Sequence, residues 1–96
     1  NVEDIAWFYT ESRMTTAVTF KNKPYPVDLK IKKLEEQLDP EVFFRVNRST
    51  IIHINAVQKF ENHFGGKLIL RLIPPFNEPI TISRLKATEF KEWIGL

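Results

Sequence analysis

Apolar and β-branched residues alternate with polar ones in short stretches along most of this chain, a pattern typical of strands. It predicts strands at residues 5–9, 15–20, 43–46, 51–54, 56–61, 67–73 and 80–82. The first two are expected to pair antiparallel across the polar link at residues 10–14. Residues 25–28 predict at most an edge strand, because Pro24 and Pro26 cannot donate ladder hydrogen bonds.

Two segments change to helical spacing. A short central helix is predicted after Asp28, its expected N-cap, and it should end at Asp39-Pro40. Its apolar positions are Ile31, Leu34 and Leu38. Ser83 is the expected N-cap of a C-terminal helix. The apolar stripe of that helix is formed by Ala87, Phe90 and Ile94, widened by Leu85 and Trp93. The elements together predict a mostly β fold of small packed sheets with these two helices.

Composition limits the chain to one core. With 96 residues, 43% of them hydrophobic, it can form a single domain over residues 1–96. The absence of Cys excludes disulfides and favours the cytoplasm. No apolar run approaches the roughly 20 residues of a membrane helix, so no membrane partner is expected. Because the chain begins at Asn1 without Met or a signal-like segment, we expect it to be part of a longer protein with an N-terminal partner domain.

Catalysis has no support in the sequence. Ser49 and Ser83 lack a nucleophile-elbow context, and the pair Glu35-Glu36 is expected on the exposed face of a short helix. His53 and His63 have no Cys or carboxylate at a spacing that completes a metal site. We therefore expect neither an enzyme nor a bound cofactor or metal.

Charge alone says little, because 14 basic and 12 acidic residues leave a net charge of only +2. The distribution is more informative. Acidic residues gather at positions 35–41, whereas arginines occur in other segments, so the fold could create one positive face. The alternative is a solvated mixed surface.

One stretch combines arginines with a segment that must be buried. Residues 43–49 read Phe-Phe-Arg-Val-Asn-Arg-Ser and precede the isoleucine-rich block at 51–54, while Ile-Ser-Arg at 82–84 opens the C-terminal helix. Together with the strand at 5–9 and the helix end at 34–38, this order resembles the LytTR family of bacterial DNA-binding domains over nearly the whole chain. The resemblance implies a mostly β fold, usually joined to an N-terminal receiver domain in two-component response regulators. Such domains contact promoter DNA through loops that enter successive major grooves.

Mapped onto these motifs, the resemblance implies two sets of DNA contacts. The positions expected to contact bases are Arg48, Arg84, Thr15 and Asn47. The positions expected to contact phosphates are Arg45, Ser49 and Lys86. Arginine suits base contact because its planar fork can bond O6 and N7 of guanine. For the arginines and the lysine, the alternative is a solvated surface charge.

The chain departs from the family pattern at two positions. Asn47 stands where His is usual, which leaves the preferred base open, since one hydrogen-bonding side chain replaces another. His53 stands where Asn is usual, and we expect its ring to bond nearby backbone rather than DNA. Most of the following seven aromatic residues are expected in the core rather than as base-stacking platforms: Trp7, Phe8, Phe43, Phe44, Phe60, Phe64 and Trp93.

The function expected from the resemblance is sequence-specific binding of double-stranded DNA in transcriptional regulation. A homodimer on repeated half-sites is compatible with this function. The competing class is a β-rich protein-interaction or ligand-sensing module without DNA binding. Salt dependence and a preference among duplex sequences distinguish the two, because only a sequence-specific DNA-binding domain shows both.

Overall fold

The computed structural model describes all residues from Asn1 to Leu96. Eight strands form two antiparallel sheets, and the expected mostly β fold is confirmed. The larger sheet has the order β3-β2-β1-β5-β4, with bounds β1 (Ile5–Glu11), β2 (Met14–Thr19), β3 (Pro24–Val27), β4 (Phe43–Asn47) and β5 (Thr50–His53). The smaller sheet has the order β6-β7-β8, with bounds β6 (Val57–Asn62), β7 (Leu68–Leu72) and β8 (Ile80–Ile82). Two helices complete the fold: α1 (Ile31–Gln37) and α2 (Arg84–Trp93).

The larger sheet buries apolar residues on both faces. A 13-residue cluster that includes Ile52, Leu70 and Phe90 contains side chains from both sheets and α2. A 6-residue cluster that includes Ile51 and Leu34 lies between the other face and α1. Because adjacent residues of a strand point to opposite faces, the continuous run Thr50–His53 is buried throughout. The turns that flank β5 are therefore fixed to the most buried strand.

Most predicted elements are confirmed. The prolines place β3 at the edge of its sheet, and the Ser83 hydroxyl accepts a hydrogen bond from the Lys86 amide at 3.3 Å, as expected of an N-cap. The prediction for Asp28 is wrong. Lys30 occupies the N-cap of α1 and makes no side-chain capping bond there.

Two of the apolar residues considered for the core, Leu85 and Phe64, lie at the surface. Leu85 is 81% exposed, because the buried face of α2 is defined by Ala87 and Phe90, and a helical turn of 100° per residue places Leu85 off that face. Phe64 is 77% exposed in a short 3₁₀ turn, where its ring contacts the ring of His63. The centroid of the Phe64 ring lies 5.6 Å from Nζ of Lys67.

Candidate nucleic-acid interface

Two turns lie side by side at one end of the larger sheet. The β1–β2 turn consists of Ser12 and Arg13, and the β4–β5 turn consists of Arg48 and Ser49. The amide of Thr10 donates to the carbonyl of Ser49 at 2.8 Å, which joins the two hairpins just below their turns. Both turns therefore project from the same end of the larger sheet. The backbone hydrogen bonds between β1 and β5 fix their positions relative to each other.

The N-terminus of α2 meets the β4–β5 turn across an open groove of about 550 Å³. We name this groove the cationic cleft. Its polar and charged lining is formed by Glu35, Arg45, Asn47, Arg48, Thr81, Ser83 and Lys86. Three cations face one carboxylate there, so the cleft has a local positive charge that the overall net charge of +2 does not reveal. Such a surface can attract phosphate oxygens.

Arg48 is exposed at the tip of its turn, while the residues beside it are engaged in holding that turn. The side-chain oxygen of Asn47 accepts from the Ser49 amide at 2.9 Å and from the Ser49 hydroxyl at 3.3 Å. Asn and Asp side chains commonly stabilise turns in this way. Asn47 thus presents only its NH₂ group to a ligand, and Arg48 is the unobstructed cation of the turn.

Arg45 lies beneath the same turn rather than at its surface. Its side chain is 23% exposed, Nη1 forms an ion pair with Oε1 of Glu35 at 3.1 Å, and Nη2 donates to the Arg48 carbonyl at 2.6 Å. The third nitrogen, Nε, is buried without a hydrogen-bond partner. The guanidinium therefore ties α1 to the β4–β5 turn, a role that the sequence did not suggest.

Arg84 and Lys86 begin α2 but occupy different surroundings. Arg84 is exposed, and its stem packs on the backbone of Gly66, where an added Cβ would lie 2.7 Å from Cγ of the arginine. It lies next to the cationic cleft without lining it. Lys86 does line the cleft, pairs with Glu89 at 3.1 Å and lies 5.4 Å from the ring centroid of Phe44.

Thr15 is largely buried in the sheet. It is 6% exposed, and its hydroxyl lies 3.0 Å from the hydroxyl of Thr10 on the paired strand. The reason is the tightness of the hairpin, since strand pairing continues to Glu11 and Met14 and leaves only two residues in the turn. The exposed residues at this end are Glu11, Ser12, Arg13 and Met14 instead. Sequence reasoning missed Arg13, whose signal was an arginine in the polar link between two strands.

His53 has the structural surroundings expected of it. Its side chain is 7% exposed, Nδ1 accepts from the Asn55 amide at 2.9 Å, and the rings of Phe20 and Phe43 each lie 5.1 Å away, centroid to centroid. Burial lowers the pKa of His53, and the negative charge of Glu3 opposes this effect in part. The ring is therefore favoured in its neutral form, which can accept the backbone bond.

No group of three or more His, Cys, Asp or Glu side chains is arranged to hold a metal ion. Neither helix is long and apolar enough to span a membrane.

Comparison with known proteins gives matches to DNA-binding domains and to transcriptional regulators. The family model of the LytTr DNA-binding domain matches residues 1–95. The chain is 28% identical over 95 residues to the transcriptional regulatory protein YpdB of Escherichia coli K12 and to that of Shigella flexneri, covering 99% of this chain but 38% of each relative. Its fold is similar to a solved LytTr DNA-binding domain from Bacillus cereus, with a TM-score of 0.81, 16% identity, and coverage of 98% of this chain and 84% of that one. The chain thus spans well under half the length of the regulators it matches.

Proposed function

The chain belongs to the LytTr family of DNA-binding domains, and we propose that it recognises specific sequences of double-stranded promoter DNA through the turns at one end of its larger sheet. The observation that supports this most is the cationic cleft, where the Arg48 turn and the N-terminus of α2 meet. Transcriptional regulation is the role of the domain. Contact by turns replaces the recognition helix of other DNA-binding folds.

Arg48 is the first candidate for contact with a base edge. It is exposed on a turn fixed by its neighbours, and a fixed arginine can form two parallel bonds with guanine. Arg84, outside the cleft, is proposed to contact a second part of the same site. Ser49 and Lys86, together with the N-terminus of α2, are proposed to contact phosphates, because a helix N-terminus attracts anions.

The hairpin beside Arg48 extends this surface. We propose Arg13 as its DNA contact in place of the buried Thr15, since the Ser12-Arg13 turn lies beside the Arg48 turn and is exposed. Arg13 has a φ of 66°, a conformation that is costly for a residue with a side chain. Positive φ is the usual backbone of a two-residue hairpin turn, so the turn itself accounts for this conformation.

The regulators to which the chain is similar are more than twice its length, since it covers 38% of them. We propose that the full protein joins this domain to an N-terminal receiver domain and acts in the bacterial cytoplasm as a two-component response regulator. A homodimer on repeated half-sites would double the contact surface.

Selection of bound duplexes from a random pool, at two salt concentrations, tests the proposed function. We expect one preferred sequence and an affinity that falls with log salt at a slope of about −0.9 per phosphate contacted. Binding without salt dependence or sequence preference would refute DNA recognition and favour a protein-interaction module.

Two arginine variants test the assignment of contacts. Arg48→Ala and Arg84→Ala should each relax base preference at a different position of the site, with a loss of about 1–3 kcal/mol for a bidentate contact. In the double variant the two losses should nearly add, because separated contacts without shared partners act independently. Arg71→Ala is the matched control, because Arg71 is an exposed arginine on β7 outside the cleft. A uniform fall in affinity without altered preference would make both arginines phosphate contacts.

A further inference from the structure

The turn that presents Arg48 does not have the usual backbone of a two-residue hairpin. Such turns favour positive φ at both central residues, as Ser12 and Arg13 have in the neighbouring hairpin, with φ of 51° and 66°. Neither Arg48 nor Ser49 has a positive φ, and the register of β4 against β5 shifts between Arg45 and Asn47. Backbone preference alone therefore does not hold this turn, and side chains have to stabilise it.

Two side chains do so from opposite directions. Asn47 bonds the amide of Ser49 from within the turn. Arg45 bonds the carbonyl of Arg48 from below, at 2.6 Å, and its other terminal nitrogen is held by Glu35 at 3.1 Å. The Arg48 backbone is thereby connected through one planar guanidinium to a carboxylate on α1.

We propose that Glu35 is a positioning residue for DNA recognition: its carboxylate orients Arg45, which holds the Arg48 carbonyl and so fixes the direction from which the Arg48 side chain meets a base. This inference rests on the proposed function. It also changes the role of Arg45 from a phosphate contact to a support, because both terminal nitrogens of its fork are engaged within the protein.

Electrostatics alone makes the opposite prediction, which is why the proposal can be tested. Glu35 is the only carboxylate in the lining of the cationic cleft, so it repels nearby phosphates. If that were its only effect, removing its charge would tighten binding to every duplex. If it positions Arg48, removing it weakens the preference for the base that Arg48 contacts.

The same helix provides a matched control. Glu36 is the next residue, is exposed, and pairs with Lys33 at 3.6 Å without contacting Arg45. Glu35→Ala and Glu36→Ala therefore remove the same charge from adjacent positions, and only the first removes the support. Glu35→Gln is the conservative variant, because its amide oxygen can still accept from Nη1 of Arg45.

The first measurement is the affinity ratio between the selected duplex and the same duplex changed at the Arg48 base. We expect Glu35→Ala to lower this ratio about two- to fivefold, the range of a partly exposed ion pair. Glu35→Gln should restore part of the ratio, and Glu36→Ala should leave it at the parent value. A uniform gain in affinity in both alanine variants would overturn the proposal and leave Glu35 as a simple repulsive charge.

The second measurement needs no DNA. Hydrogen exchange of the Ser49 amide reports opening of the turn, because that amide is bonded to Asn47. We expect faster exchange in Glu35→Ala than in Glu36→Ala, with unchanged exchange at the Leu70 amide in the core as the folding control. Should Glu35→Ala unfold at the working temperature, Arg45→Lys supplies the same comparison, since lysine cannot form the two-ended bridge.

The two proposals fail in distinguishable ways. If the parent domain shows no preference among duplexes, the proposed function is refuted and the role of Glu35 in recognition falls with it. If the parent shows a preference but Glu35→Ala matches Glu36→Ala in both the affinity ratio and Ser49 exchange, the inference on Glu35 alone is refuted.

Discussion

Ile52 is the residue whose truncation tests the core most directly. It is 0% exposed, it is paired with Trp7 on β1 and with Phe44 on β4, and it belongs to the larger apolar cluster. Ile52→Ala should cost about 2–5 kcal/mol, because lost burial and an unfilled cavity add. Ile52→Val, which removes one methylene group, should cost only about 0.5–1.5 kcal/mol.

These magnitudes predict different effects on stability and on binding. A domain of this size has a free energy of unfolding of roughly 5–14 kcal/mol, and each kcal/mol lowers the melting temperature by about 4–8 °C. Ile52→Ala should therefore melt about 8–40 °C below the parent. While at least 1.4 kcal/mol of stability remains, more than about 90% of the molecules are folded, and Kd should change by about 10% or less.

Urea denaturation and duplex binding, both well below the melting temperature, separate these effects. We expect a graded loss of stability from parent to Ile52→Val to Ile52→Ala, with nearly equal Kd for all folded samples. An alanine variant that melts like the parent would show that the core assignment is wrong. Loss of binding in a sample with an unchanged circular dichroism spectrum would show that Ile52 shapes the interface itself.

Three further variants probe the hairpin, the buried histidine and a buried indole. Arg13→Gly should raise the free energy of unfolding by about 1 kcal/mol, because glycine adopts a φ of 66° without the side-chain penalty. If Arg13 contacts phosphate, the same change should lower the magnitude of the slope of log affinity against log salt by about 0.9. An unchanged slope would exclude that contact. Because burial lowers the pKa of His53, the unfolded chain gains a proton more readily than the folded one, so stability should fall as pH decreases below about 6.5. His53→Asn should reduce that loss in urea titrations at pH 7.5 and 5, and equal losses would contradict the assignment. Trp7→Phe should lower the free energy of unfolding, measured by urea denaturation, by about 1–3 kcal/mol. The change removes the buried hydrogen bond, 3.0 Å long, that Nε1 donates to the Pro74 carbonyl. A loss near zero would indicate that water replaces the indole.

Local patterns predicted much of the fold because the physics of each element is local. Alternation identified the strands, prolines identified the edge strand β3, and Ser83 identified the start of α2. The errors arose where tertiary position overrides local preference. Leu85 looks apolar enough to be buried, but its exposure is decided by the angular position of Ala87 and Phe90 on the helix.

The sequence motifs predicted which segments form the candidate site, but not which side chains hold the β4–β5 turn in place. The predicted strands at 43–46 and 51–54 leave Arg48 in the link between them, where the structure has a turn. The predicted link at residues 10–14 is longer than the two-residue turn found, and Thr15 lies inside the sheet. Glu35 and Glu36 are indistinguishable in sequence, since both are exposed acids on one short helix. Only the packing of α1 against the sheet decides that Glu35 meets Arg45.

The weak net charge constrains how such a domain can find its target. At +2, long-range attraction to DNA is modest, so affinity for arbitrary sequences should be low and sensitive to salt. Discrimination must then come from a few well-oriented contacts, whose value depends on how little they move before binding. The β4–β5 turn meets this requirement, because β5 is buried along its whole length and Asn47 and Arg45 hold the turn from two sides. With the base contact proposed for Arg48, a turn held in this way would let one arginine discriminate between bases without the broad basic surface that nonspecific binding would need.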